Sequence, residues 1–177
     1  LRSIVEAACK TDDSGTEEVG VIDNRMLFAL KRPGDELSTW LPLRISPLEV
    51  VIESEPNDTA GKASVAKIPA ALHGVISKPG DVDHFRVSLK KGQLYQVQVE
   101  THTIGSPADI ELILLDAKGK EVSRADDSGL DEARMNISPP AAGDYTLVVR
   151  EMARDTLTGG DVVPDFLHTA LGEAQPA

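Results

Sequence analysis

The sequence predicts an all-β protein, an antiparallel sandwich or jelly roll, preceded by a partial N-terminal segment. Three observations carry this. Short runs of alternating apolar and polar residues recur at close intervals along most of the chain, and Gly-, Pro-, Asn- and Asp-rich turns separate them. No stretch of comparable length shows the 3.6-residue periodicity of an amphipathic helix. At 177 residues the chain is long enough to bury a sizeable core without a staple, and its single cysteine, Cys9, excludes an internal disulfide framework or a multi-cysteine zinc site.

Taken in order, residues 3–9 (Ser3 to Cys9) have weak helical character, and residues 10–18 look like a solvated loop. Val19–Ile22 and Met26–Leu30 flank Asp23-Asn24 and predict a hairpin. Lys31 to Asp35 is a turn, and Pro42 and Pro47 punctuate the approach to Val50-Val51-Ile52, which sets a domain start near Pro47. A strand is expected around His73–Ser77. Phe85–Leu89 alternates cleanly, Lys90 to Gln93 turns the chain, and Leu94–Glu100 follows with Val97 and Val99 on one face and Gln96 and Gln98 on the other. Ile110–Leu115 is apolar on both faces, as a strand covered on each side would be. Asp116 to Lys120 turns, Glu121–Arg124 returns, Arg134–Ser138 resumes the pattern, and Tyr145–Arg150 is a strongly β-forming run. Asp165-Phe166-Leu167 is expected as a closing edge strand after Pro164, with residues 170–177 a disordered tail.

Composition removes several functions. With 18 Lys and Arg against 29 Asp and Glu, the net charge of −11 argues against a nucleic-acid partner, whose phosphates need clustered cations. No apolar run approaches the ~20 residues that a membrane-spanning helix needs. The chain begins at Leu1, without a basic stretch leading into an apolar one, and is expected to be an excised piece of a longer protein.

The densest acidic run is Glu53-Ser54-Glu55-Pro56-Asn57-Asp58-Thr59, and a second acidic turn, Gly80-Asp81-Val82-Asp83, follows the strand around His73–Ser77. Extended backbone puts Glu53, Glu55 and Asn57 on one side, and Asp81 and Asp83 likewise. If the two segments lie side by side, their oxygens converge, and crowded carboxylates repel unless a cation neutralises them. A hard cation such as Ca²⁺ takes six to eight oxygens. The alternative is that these acids decorate loops, with Asp58 and Thr59 capping a turn and Asp81 closing a Pro-Gly turn. The spacing is not that of an EF-hand loop.

The acidic run, then Gly74-Val75-Ile76, then Asp81-Val82-Asp83-His84-Phe85, resembles the bacterial pre-peptidase C-terminal domain. The later elements of that family are present in order: Lys91-Gly92-Gln93, Leu114 to Gly119, Asp126-Asp127, and Pro140 to Tyr145. The resemblance covers residues 50–151 and extends to 169 if the closing strand is included. It implies a β-sandwich of jelly-roll type, a non-catalytic accessory module of a secreted or cell-surface bacterial protein, and hence an extracytoplasmic location. Its partners would be neighbouring domains of a longer chain, with an extracellular protein or polysaccharide as ligand. By the same resemblance, calcium would be held by Glu53, Glu55, Asn57, Asp58, Asp81 and Asp83, with Ser77 a further candidate. His84 departs from the family, which places Tyr, Thr or Phe there. Residues 1–46 fall outside the resemblance and are expected to be the end of a preceding β-domain, with Trp40 at the junction; the sandwich itself is expected over 47–169.

An enzyme is not expected. His73, His84, His102 and His168 are scattered, and no metalloprotease, nucleophile-elbow or phosphate-loop motif is present. The one arrangement compatible with hydrolysis sets His73 or His84 beside Asp81 or Asp83. Cys9 is a bystander, and Tyr145 is expected to tie a corner through its hydroxyl. A carbohydrate-binding sandwich is the alternative, and it requires Trp40 or Tyr95 to be exposed as a platform for a sugar.

Overall fold

The computed structural model describes residues 16–22, 25–30, 38, 41–78, 80–106, 108–126, 132–152 and 165–173. The chain divides into two compact units, Leu1–Ser46 and Pro47–Ala177. The expected helix at 3–9, Cys9, the Asp23-Asn24 turn and Trp40 lie outside the described residues.

The first unit contains three strands, β1 (Thr16–Ile22), β2 (Arg25–Leu30) and β3 (Leu41–Arg44), in one antiparallel sheet of that order. Ile22 pairs with Arg25, the two-residue connection that the hairpin pattern anticipated. β1 starts at Thr16, three residues inside the stretch expected to be a loop. β3 was not anticipated; it is an edge strand, the one sheet position that tolerates the missing N–H of Pro42.

The second unit is a sandwich of two five-stranded sheets. Its strands are β4 (Glu49–Ile52), β5 (Ser64–Val65), β6 (Ala70–Ile76), β7 (Val82–Leu89), β8 (Tyr95–Glu100), β9 (Ile110–Leu115), β10 (Glu121–Ala125), β11 (Arg134–Ile137), β12 (Gly143–Glu151) and β13 (Asp165–Glu173). One sheet runs β10-β9-β12-β7-β5 and the other β11-β8-β13-β6-β4. From β6 onward, successive strands alternate between the sheets except at the β9–β10 hairpin. The all-β sandwich is therefore as expected, but it is mixed rather than purely antiparallel. The edge strands β4 and β5 pair in parallel with β6 and β7. Among the described residues there is no α-helix, and no helix is long and apolar enough to cross a membrane.

Alternation in the sequence becomes burial in the sandwich. Phe85, Val87 and Leu89 of β7, Tyr95, Val97 and Val99 of β8, and Tyr145, Leu147 and Val149 of β12 all enter one core. Each such side chain, fully buried, contributes on the order of 1.5–3 kcal/mol. β9 is covered on both faces as its composition predicted: Leu112 and Leu114 lie in the core, while Glu111 and Ile113 are buried on the other side. Glu111 is held there by Arg150 Nε at 2.6 Å and by the Arg124 guanidinium. The Tyr145 hydroxyl donates to the Ala141 carbonyl at 2.9 Å and ties the corner entering β12.

The tail expected from residue 170 is corrected. β13 continues to Glu173, because Leu171 is buried in the core and pairs with Ala70 on one side and Val97 on the other. Ending the strand at 169 would leave that core position empty.

Candidate functional site

The candidate site lies at the edge of the sandwich where β4 and β5 terminate the two sheets. β4 follows β6 in parallel as far as Ile52, opposite His73. The backbone then adds one more rung, with the Glu53 N–H donating to the His73 carbonyl at 2.9 Å. The next free donor on β6, the Val75 N–H, is taken by the Glu53 side chain, whose Oε1 accepts it at 2.6 Å. A carboxylate thus replaces the strand where the strand stops, which satisfies a backbone group that would otherwise be orphaned.

Beyond Glu53 the chain crosses from the edge of one sheet to the edge of the other. The Ser54 N–H donates to the Ser64 hydroxyl at 2.8 Å, just as Ser64 enters β5 beside Phe85 of β7. Asn57 is wholly buried within this crossing. Its N–H donates to Glu55 Oε2 at 2.7 Å and its Nδ2 to Glu53 Oε2 at 2.9 Å. Asn57 therefore binds one glutamate through its backbone and the other through its side-chain amide, whose Oδ1 accepts no hydrogen bond from the described residues.

Asp83 approaches from the facing sheet. It shares the core side of β7 with Phe85, Val87 and Leu89, an apolar position at which a carboxylate is costly. Directly across stands Gly74 of β6. A Cβ there would lie 2.5 Å from Asp83 Oδ2 and 3.2 Å from Glu53 Oε2, so this glycine leaves the room in which the two carboxylates meet. Oxygens of Glu53, Glu55 and Asp83 lie within 4.8 Å of one another. Asp83 is fully buried, and neither of its oxygens accepts a hydrogen bond from a donor among the described residues. Burial first, then the neighbouring charges of Glu53, Asp81 and Glu55, push its pKa up to about 9. Without a cation, the buried carboxyl of Asp83 beside Glu53 favours its protonated form.

The remaining candidates form an adjoining group. Asp81 is buried, and its Oδ2 accepts from the Ser77 N–H at 2.7 Å and the Ser77 hydroxyl at 2.6 Å. Burial opposes its charge, but these two bonds, with Asp58 and Lys78 adding to them, hold its pKa below the usual carboxylate value. Lys78 Nζ stands 3.7 Å from Asp58 Oδ1 and 3.9 Å from Asp81 Oδ1.

Of the seven residues nominated from the sequence, Glu53, Glu55 and Asp83 converge, and Asn57 is bonded to both glutamates. Asp81 and Asp58 meet at Lys78 instead. The Ser77 hydroxyl is spent on Asp81, which makes Ser77 a residue that orients a carboxylate. Two contributors escaped notice. Gly74 enters the sequence reading only as part of a motif, although a glycine inside a strand is itself a sign of close approach. Lys78, the cation nearest the acidic turn, was overlooked.

The hydrolase arrangement needs an imidazole beside the acidic turn, and among the described residues neither His73 nor His84 is turned toward Asp83. His84 follows Asp83 on β7 and therefore takes the opposite face, where its Nδ1 lies 3.2 Å from the Val82 carbonyl. His73 takes the face of β6 opposite to Gly74, and burial lowers its pKa. Neither imidazole shares a side of the sheet with Asp83. The platform expected for a sugar is also missing at Tyr95, which is buried in the core with its hydroxyl accepting from the Lys90 N–H at 3.0 Å.

Residues 81–151 match the family model described as the bacterial pre-peptidase C-terminal domain. The match takes in Asp81, Asp83 and the strands from β7 to β12; the run from Glu53 to Asp58 lies upstream of it. A probable subtilase-type serine protease of Deinococcus radiodurans is 33% identical over 126 residues, which cover 66% of this chain and 17% of the protease. The chain therefore spans about a sixth of the length of that curated relative. Among solved structures, the pre-peptidase C-terminal domain of a collagenase from Bacillus anthracis aligns with a TM-score of 0.48 at 12% identity, covering 67% of this chain and 98% of that one. The periplasmic inhibitor of g-type lysozyme from Aeromonas hydrophila aligns with a TM-score of 0.42 at 20% identity, covering 62% and 98%.

Proposed function

We propose that this pre-peptidase C-terminal domain is a calcium-stabilised, non-catalytic accessory module of a longer, exported bacterial protein. It would act by positioning a neighbouring domain or by binding an extracellular protein surface. A jelly-roll scaffold suits that role, and the alternation of β6 to β13 between two sheets supports it. The small share of the protease-like relative that this chain spans supports a place among other domains.

One observation carries the cation: the carboxylate of Asp83 on the core face of β7, against Glu53 and Glu55, with no donor turned toward it. The converging atoms are all oxygens, from the three carboxylates of Glu53, Glu55 and Asp83. That donor set suits Ca²⁺, whose flexible shell takes carboxylates, amides and waters at ~2.3–2.6 Å; nitrogen- or sulfur-preferring metals would choose otherwise. Bound there, the ion would tie the crossing segment to β7 and so join the edges of both sheets.

Thermal unfolding in calcium and in chelator tests this. At a calcium concentration ~100 times Kd, the folded state gains about 2.7 kcal/mol, a rise of several degrees in Tm. Identical melting curves in calcium and EDTA would reject the ion.

A further inference from the structure

We infer that Lys78 is a tethered cation that holds the outer half of the acidic cluster and so limits it to one bound divalent ion, seated at Glu53, Glu55 and Asp83. The inference rests on the calcium reading above and adds how many ions the cluster admits.

The cluster has two halves with different counter-charges. At the inner half, Glu53, Glu55 and Asp83 converge and no cationic side chain is recorded against any of them among the described residues. At the outer half, Asp58 Oδ1 and Asp81 Oδ1 both lie within 4 Å of Lys78 Nζ. The Asp81 side chain has no exposed surface, and with Oδ2 saturated by Ser77 its Oδ1 accepts no hydrogen bond. That buried oxygen has Lys78 Nζ at 3.9 Å, with the Asp58 side chain also beside Asp81.

Lys78 is placed there by the same turn that presents Asp81. The Asp81 N–H donates to the Lys78 carbonyl at 3.1 Å, which sets the two side chains on one side of the turn. At 3.7 and 3.9 Å the ammonium stands between the carboxylates, longer than a direct hydrogen bond to either, and 60% of its side chain is exposed. So loose a pair does little for stability. Its effect is local neutralisation: with one positive charge already beside them, Asp58 and Asp81 attract a second divalent ion less. An ion liganded by both Asp58 and Asp81 at ~2.3–2.6 Å would occupy the place of the ammonium, and the two positive charges repel at such a distance.

Isothermal titration of the 177-residue chain with Ca²⁺, beside Lys78→Met and Lys78→Arg, decides the matter. The native chain and Lys78→Arg are expected to take up one ion each. Lys78→Met, neutral and of similar length, is expected to take up a second. Two ions in the native chain, or a single ion in Lys78→Met, overturns the role of Lys78 while leaving calcium binding intact. No binding by any of the three overturns the calcium reading and this one with it. Since the Lys78 side chain is mostly exposed, its substitution leaves the fold in place, which an unchanged melting curve in chelator checks.

Discussion

Gly74 and Asp83 face each other across the two sheets, and the missing Cβ of the first is the space filled by the carboxylate of the second. Gly74→Ala is expected to displace Asp83 toward Glu53, to cost about 1–3 kcal/mol as an overpacked interior site, and to reduce the rise in Tm that calcium brings. Gly61→Ala, where an added Cβ meets nothing within 4 Å, serves as the control and should leave both quantities unchanged. Chemical denaturation with and without calcium measures the difference.

Stability should fall as pH rises in the absence of calcium. Asp83 binds its proton more tightly folded, at about 9, than its ordinary value of 3.8. The stabilisation from that proton is complete below about pH 4, declines as pH climbs and is lost as pH passes the folded value. Its slope is at most about 1.4 kcal/mol per pH unit. Melting curves in chelator at pH 5, 7 and 9 should show a steady decrease in Tm, and saturating calcium should flatten it by taking over the role of the proton. A Tm in chelator that is level from pH 5 to 9 would contradict the burial of this carboxyl.

Asp83→Asn separates stability from binding by sign. The amide keeps the shape and supplies a donor toward Glu53 without the proton uptake that folding of the native chain requires above the ordinary carboxyl value of 3.8. In chelator at pH 8 the variant is expected to melt above the native chain. In calcium it is expected to show no further rise. A variant that loses Tm in both conditions would mean that Asp83 acts through packing alone.

Tyr145→Phe deletes the bond to the Ala141 carbonyl far from the acidic edge. A loss of about 0.5–1.5 kcal/mol is expected, with the calcium-dependent rise in Tm unaltered, since the ring keeps its place in the core. Differential scanning calorimetry on the two proteins reads both values.

Local pattern made much of this fold legible. Phe85–Leu89 and Leu94–Glu100 announced their faces by alternation, and Ile110–Leu115 announced a strand covered twice over. What stayed hidden depends on distant partners. The parallel pairing of β4 with β6 and β5 with β7 follows from how the chain returns along each edge, and two residues such as Ser64-Val65 carry no period to read. Gly172 and Glu173 are poor strand formers that β13 reaches only because Leu171 is wanted in the core. At the site, the carboxylates were visible as a composition, whereas the division between them was not. Ser77 turning to Asp81, and Lys78 standing before Asp58, are matters of side-chain direction inside one turn.

The crossing from Ile52 to Ser64 also shields the sandwich from its own kind. β4 and β5 are short, and behind them lie the long strands β6 and β7, whose backbone groups would become templates for a second molecule if the crossing peeled away. Whatever fastens Glu53 to Asp83 is therefore expected to guard that edge against a second copy, and prolonged chelation should be visible first as scattered light.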